Sequence, residues 1–278
     1  MRIVSLIENT EGRSGCAFAH GLSFYVETAR HRLVLDLGPS GETVTNAKAL
    51  GINLRKVDTV VLSHGHYDHA GGILPFTELN EKAPIYMQAS AADDYYADDG
   101  KDAPVRYRYI GIDKRIAGLP QVRLIRGNHR IDEELSLFTL SERSHPLPST
   151  NRRILVRRDG SYLPDDFLHE QYLVIREGGK SVLLSGCAHN GILSILDGYR
   201  ERFGSWPDLV VSGFHLMKKK EYTADELAEI EDIAEELSAI PTRFVTCHCT
   251  GLPAFEKMKS IMGDGLSYLH SGEEIAYE

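Results

Sequence analysis

Seven residues, His64-Gly65-His66-Tyr67-Asp68-His69-Ala70, put three imidazoles and a carboxylate within six positions. Neutral imidazole and carboxylate are donors suited to zinc, iron or manganese. A lone histidine after a strand is usually a cap or a satisfied polar side chain, but a chain with 12 histidines in 278 residues does not gather three beside an aspartate by chance. Four donors exceed what one catalytic ion with an open position takes from a single loop, so the stretch predicts two divalent ions.

The elements around it read as scaffolding. Val57-Asp58-Thr59-Val60-Val61-Leu62 is short, apolar and β-branched, and Gly71-Gly72 lies just beyond the cluster, so an interior strand spills into a tight loop. His64 and His66, two apart in extended backbone, point the same way. Hairpins are predicted over 22–37 and 172–184, strands over 209–211 and 244–246, and a helix from a Ser40 cap towards Gly51. Thr223 opens the clearest helix, with Leu227, Ile230, Ile233, Ala234, Leu237 and Ile240 at helical spacing. Residues 89–120, acidic and tyrosine-rich without a clean period, read as a short helix and a long loop over the site. The first hairpin, helix, strand and His64 are echoed by the second hairpin, helix, strand and His215. The expectation is therefore one domain over 1–278 made of two similar halves, roughly 1–125 and 126–278, whose strand-end loops meet at one rim. Those loops carry His64, His66, His69, His189, His215 and His248.

Composition narrows the function classes. A hydrophobic fraction of 42% supports a sizeable core. No 18-residue apolar run and no signal-like N-terminus is present, which predicts a cytoplasmic protein without membrane contact. Cys16, Cys187, Cys247 and Cys249 form no disulfide-scaffold pattern and are expected as reduced thiols. A net charge of −9 argues against nucleic acid as a partner. A small molecule, with a phosphorylated one as an alternative, is the expected partner, and homo-oligomerisation is left open.

The motif His64-Gly-His66-Tyr-Asp68-His69 after Val-Leu-Ser resembles the H-x-H-x-D-H signature of the metallo-β-lactamase superfamily. The resemblance implies an α/β fold, an αββα sandwich, with a dinuclear site at one edge of two sheets and hydrolysis of an ester, thioester, lactone, amide or phosphoester. It implies that His64 and His66 share one ion with a third histidine, for which His189 is the choice. Asp68 and His69 then share the other with His248, and one or two ions bind, zinc first, with iron, manganese or nickel as alternatives. Members of that superfamily usually bridge the ions with an aspartate after a glycine, where this chain has Gly186-Cys187, so Cys187 is either a thiolate ligand or a buried apolar residue. Asp68 is expected to orient the nucleophile and His215 to steady charge on the substrate. Ser185-Gly-Cys-Ala-His189-Asn-Gly, Ser212-Gly-Phe-His215-Leu and Cys247-His248-Cys-Thr-Gly resemble the branch of dihydropterin ribofuranosyl-aminobenzene phosphate synthases, from which residues 138–150 depart. That branch gives an alternative reading, synthase chemistry on a phosphorylated molecule with Arg143, Arg152 or Lys218 near the rim. A third reading is a metal-binding protein without catalysis.

Overall fold

Alternation along the strands decides the architecture. In strand Ser23–Glu27, Phe24 and Val26 belong to one buried cluster and Tyr25 to another. Leu33 and Leu35 divide from Val34 in the same way, as do Val182 and Leu184 from Leu183, and Leu209 and Val211 from Val210. Strands apolar on both faces must be covered on both faces. In this computed structural model, which describes residues 1–277, two sheets pack face to face through one cluster, and helices cover each outer face through the other two. The result is the expected αββα sandwich.

The first sheet runs, edge to edge, Glu274–Ala276, Arg2–Ile7, Ser23–Glu27, Arg32–Leu35, Thr59–Val61, Ile85–Gln88, Val122–Ile125. The second runs Leu266–Tyr268, Arg243–Thr246, Leu209–Ser212, Lys180–Leu184, Tyr172–Glu177, Leu135–Phe138, His129–Arg130. Each holds an antiparallel hairpin whose second strand starts a run of parallel pairings. Parallel strands end on the same side, so the loops after Leu35, Val61, Leu184, Ser212 and Thr246 gather at one rim. Helices Glu42–Ala49 and Ile73–Leu79 cover the first sheet; Ile192–Phe203, Ala224–Ser238 and Leu252–Met262 cover the second. No helix among the described residues is long and apolar enough to cross a membrane.

Three expectations change. Residues 89–120 hold short 3-10 turns at Ala89–Ala92 and Ile116–Gly118, but strands where a long loop was expected: Asp94–Asp98 and Tyr107–Tyr109 join Ile154–Arg158 and Ser161–Pro164 in a separate four-stranded sheet. The period-two signal was there in the buried Tyr95 and Ala97, but tyrosine and aspartate rather than aliphatic residues carried it. The first helix is capped by Gly41 rather than Ser40, whose Oγ instead accepts from the Glu42 amide at 3.2 Å. Thr223 does cap its helix, with a reciprocal capping box to Glu226, yet Leu227 is exposed and the buried stripe starts at Ile230.

Candidate metal centre

Five imidazoles meet at the rim, and hydrogen bonds behind the rings fix which nitrogen faces inward in four of them. Asp36 Oδ1 accepts the Ser63 amide at 2.7 Å and Oδ2 accepts the Ser63 hydroxyl at 2.6 Å. With its proton committed, Ser63 Oγ accepts from His64 Nδ1 at 2.8 Å. Asp36 Oδ2 also accepts from His69 Nδ1 at 2.7 Å. Asn151 donates to the His189 carbonyl at 2.8 Å, which turns its Oδ1 towards His189 Nδ1 at 2.8 Å. Asn9 donates to the His248 carbonyl and accepts from the Gly21 amide, so its Oδ1 likewise receives His248 Nδ1 at 2.8 Å. Each of these four rings carries its proton on Nδ1 and leaves a bare lone pair on Nε2.

Those lone pairs face one another. His64 Nε2 lies 3.3 Å from His189 Nε2, and His69 Nε2 lies 3.2 Å from His248 Nε2. The first pair is no hydrogen bond, because neither member has a proton to give; in the second, only a doubly protonated His69 has one, and it points it at the lone pair an ion would take. His66 Nε2, next to the first pair, is buried with no hydrogen-bond partner among the described residues. Two nitrogens about 2.0–2.1 Å from one tetrahedral zinc stand roughly 3.3 Å apart. The donor set therefore fits divalent ions in two neighbouring clusters: His64, His66 and His189 in one, Asp68, His69 and His248 in the other. Among the described residues, two of the five groups of donors within reach of one another are the sets expected from the sequence; a further one joins His66 with Asp165 and His169.

Cys187 lies between them. Its Sγ is 3.2 Å from His69 Nε2 and groups with His64 and His69 on one side and with His248 and Cys249 on the other. Burial, then contact with Cys249, pushes its thiol well above the ordinary range. Asp68 Oδ2 is 3.6 Å from His248 Nε2, 3.8 Å from His69 Nε2 and 3.3 Å from the half-exposed His20. His215 lies against His189, the rings tilted by 46° with centroids 4.2 Å apart, and faces Thr150 Oγ1 through Nδ1 at 3.0 Å.

Burial, followed by the charge of neighbouring imidazoles, holds His64, His66, His189 and His248 well below the usual imidazole range. They are neutral at pH 7, as metal ligation requires. Burial pulls His69 the same way, but Asp36 and Asp68 outweigh it and raise its pKa. His215 is pushed down to about 4, chiefly by burial.

Local backbone is bent to serve the rim. Asp36, Ala188, His215 and His248 all sit at positive φ, between 49° and 60°, in loops that follow sheet strands. Such conformations cost on the order of 1–3 kcal/mol each for residues other than glycine, and they cluster where side chains must be aimed. Gly186 is required by closeness: a Cβ there would meet Ser63 Oγ at 2.2 Å and Asp36 Oδ2 at 3.0 Å.

Several supporting residues lay outside the sequence-based set. Asp36, Asn9 and Asn151 orient ligands, and Glu8 accepts the His248 amide at 3.0 Å. Buried Glu170 accepts the amides of His189 and Asn190 at 2.6 and 2.9 Å. His169 accepts the Gly65 amide at 2.9 Å and is held by Asp165. Asp36 alone left a hint, in Asp36-Leu37-Gly38 at the end of a predicted hairpin. Of the basic side chains expected near the rim, Lys218 is tied to Glu226 and Arg152 is exposed; Arg143 reaches Asn190, beside His189.

Known proteins resemble this chain in sequence and fold. A family model described as the metallo-beta-lactamase superfamily matches residues 18–223. A Methanocaldococcus jannaschii protein named 7,8-dihydropterin-6-methyl-4-(beta-D-ribofuranosyl)-aminobenzene-5'-phosphate synthase is 24% identical over all of this chain and 97% of its own. An uncharacterized protein of the same organism is 25% identical over 97% of this chain and 98% of its own. Among solved structures, Tm1679, described as a metal-dependent hydrolase of the beta-lactamase superfamily, superposes with a TM-score of 0.83 at 29% identity, covering 100% of this chain and 99% of that one. Zinc-bound PqqB from Methylobacterium extorquens shares the fold, with a TM-score of 0.59 at 15% identity and full coverage of both chains. With the histidine motif, the sandwich and a family match over most of its length in agreement, the chain belongs to the metallo-β-lactamase superfamily.

Proposed function

We propose that this protein is a metal-dependent hydrolase that binds two divalent ions, zinc foremost, and acts on a small ester, thioester, lactone or phosphoester. The observation that carries the reading is the convergence of bare, buried imidazole nitrogens fixed by second partners. Ions held there supply Lewis-acid polarisation of the electrophile and lower the pKa of a coordinated water to roughly 7. His64, His66 and His189 hold one ion and Asp68, His69 and His248 the other. Cys187 joins as a thiolate, since a neighbouring cation reverses the upward push of burial on its thiol. Asp68 also orients the nucleophile, with His20 3.3 Å from the same Oδ2 that faces His69 and His248.

His215 takes a different part from the one its position alone suggested. Thr150 gives its hydroxyl proton to the His215 carbonyl, so its oxygen accepts from His215 Nδ1 and leaves Nε2 bare. A neutral ring with a free lone pair accepts a proton; it does not steady an anion. Replacing His64 and His66 together by alanine is expected to abolish metal binding and turnover in a screen of lactones, thioesters and phosphodiesters. Retention of either contradicts the reading. The synthase reading is favoured by one observation, the full-length similarity to the methanogen protein, and it predicts product formation from phosphorylated pterin precursors without net hydrolysis.

A further inference from the structure

Two arginines stand at the rim, and neither belongs to the metal clusters. Arg108 lies in strand Tyr107–Tyr109, two residues before Ile110, whose carbonyl accepts the amide of Tyr67 between His66 and Asp68. Arg153 closes the turn Ser149–Arg153, which also supplies Thr150 to His215 and Asn151 to His189. Each is therefore anchored by a segment that builds one flank of the site. Both point at one carboxylate: Asp99 Oδ2 accepts Arg108 Nε at 2.7 Å, and Asp99 Oδ1 accepts Arg153 Nη2. The two guanidinium groups are about half exposed.

The pairing leaves donors free: among the described residues Arg153 commits only Nη2, and Arg108 only Nε and Nη2, to side-chain oxygens. The pair lies close enough to the site to act on it: Arg108 interacts with Tyr67 and Asp68, and Arg153 with His215. Asp99 already draws both forks to one spot with two oxygens; a phosphate monoester, with two charges and three terminal oxygens, matches the remaining donors of both.

We propose that Arg108 and Arg153, aligned across the rim by Asp99, clamp a phosphate monoester group carried by the substrate away from the bond that breaks. The inference rests on the reading of the histidine pocket as the reacting site, and it names the class of molecule that site takes.

The test is calorimetric titration of the full chain, metal-loaded and chelator-stripped, with phenylphosphonate, whose carbon–phosphorus bond resists hydrolysis, and with benzoate. R108Q and R153Q are each expected to weaken phenylphosphonate binding at least tenfold without changing metal content. R153K, which keeps charge but loses the fork, is expected to weaken it severalfold, and R152Q, the exposed neighbour, to leave it within twofold. The arginine-dependent part is expected to survive metal stripping, so a protein that holds no metal overturns the hydrolase reading and leaves the clamp standing. The clamp is overturned if the unaltered protein does not bind phenylphosphonate at millimolar concentration or binds benzoate as tightly. Unaffected binding by R108Q and R153Q, or an equal loss in R152Q, overturns it as well.

Discussion

Asp36 is the best place to perturb the centre without touching a ligand. Its carboxylate, 1% exposed, accepts the Ser63 amide and hydroxyl and the His69 Nδ1 proton, at 2.7, 2.6 and 2.7 Å. In Asp36→Asn one of the two oxygens becomes an amide that can only donate. If that amide faces Ser63 Oγ and His69 Nδ1, donors meet donors. His69 escapes by moving its proton to Nε2, which removes the lone pair needed for an ion. If the amide faces the Ser63 N–H instead, the same conflict arises at a backbone group that cannot switch. Loss of such a second partner costs roughly 10–100-fold in metal affinity, or about 1.4–2.7 kcal/mol. A buried donor left unpaired adds about 1–3 kcal/mol to folding. Competition for zinc against a chromophoric chelator should show a 10–100-fold weaker site, and thermal unfolding of the stripped variant should begin a few degrees lower. A folded Asp36→Asn protein whose zinc affinity stays within twofold of the parent refutes the claim that this carboxylate sets the tautomers.

Other outcomes follow from the same geometry. Stripped of metal, the protein should lose stability as pH falls below about 6.5. His64, His66, His189 and His248 have depressed folded-state pKa values, so the unfolded chain binds protons first, at roughly 1.4 kcal/mol per pH unit for each. Urea titrations between pH 5 and 8 check this, and a flat profile contradicts it. Gly186→Ala should weaken metal binding although no ligand changes, because the added methyl meets Ser63 Oγ at 2.2 Å; zinc competition reads the loss. Thr223→Ala, which breaks the capping box far from the rim, should cost about 1 kcal/mol of stability and leave metal affinity unchanged, as paired unfolding and zinc measurements would reveal.

What the sequence disclosed and what it hid divide along one physical line. His64, His66, Asp68 and His69 are legible because a single loop supplies them, and His189 and His248 because they follow recognisable strands in short glycine-containing runs. The sandwich came through the histidine motif's resemblance, and strands apolar on both faces, as in Leu33-Val34-Leu35 and Leu209-Val210-Val211, are the physical reason the chain adopts it. Asn9, Asp36, Asn151 and Glu170 were not, since each meets its histidine only through the fold, at separations such as the 239 residues between Asn9 and His248. The strand Asp94–Asp98 was hidden for another reason. It buries tyrosine and alanine between aspartates, a pattern that residue type alone does not distinguish from a polar loop.

The most direct measurement is anomalous diffraction at the zinc edge from crystals of protein loaded with the metal. The account predicts two peaks, one among the Nε2 atoms of His64, His66 and His189 and one beside Asp68, His69 and His248, with Cys187 Sγ between them. Loaded crystals with no peak at the rim, or with ions bound only elsewhere on the chain, contradict it.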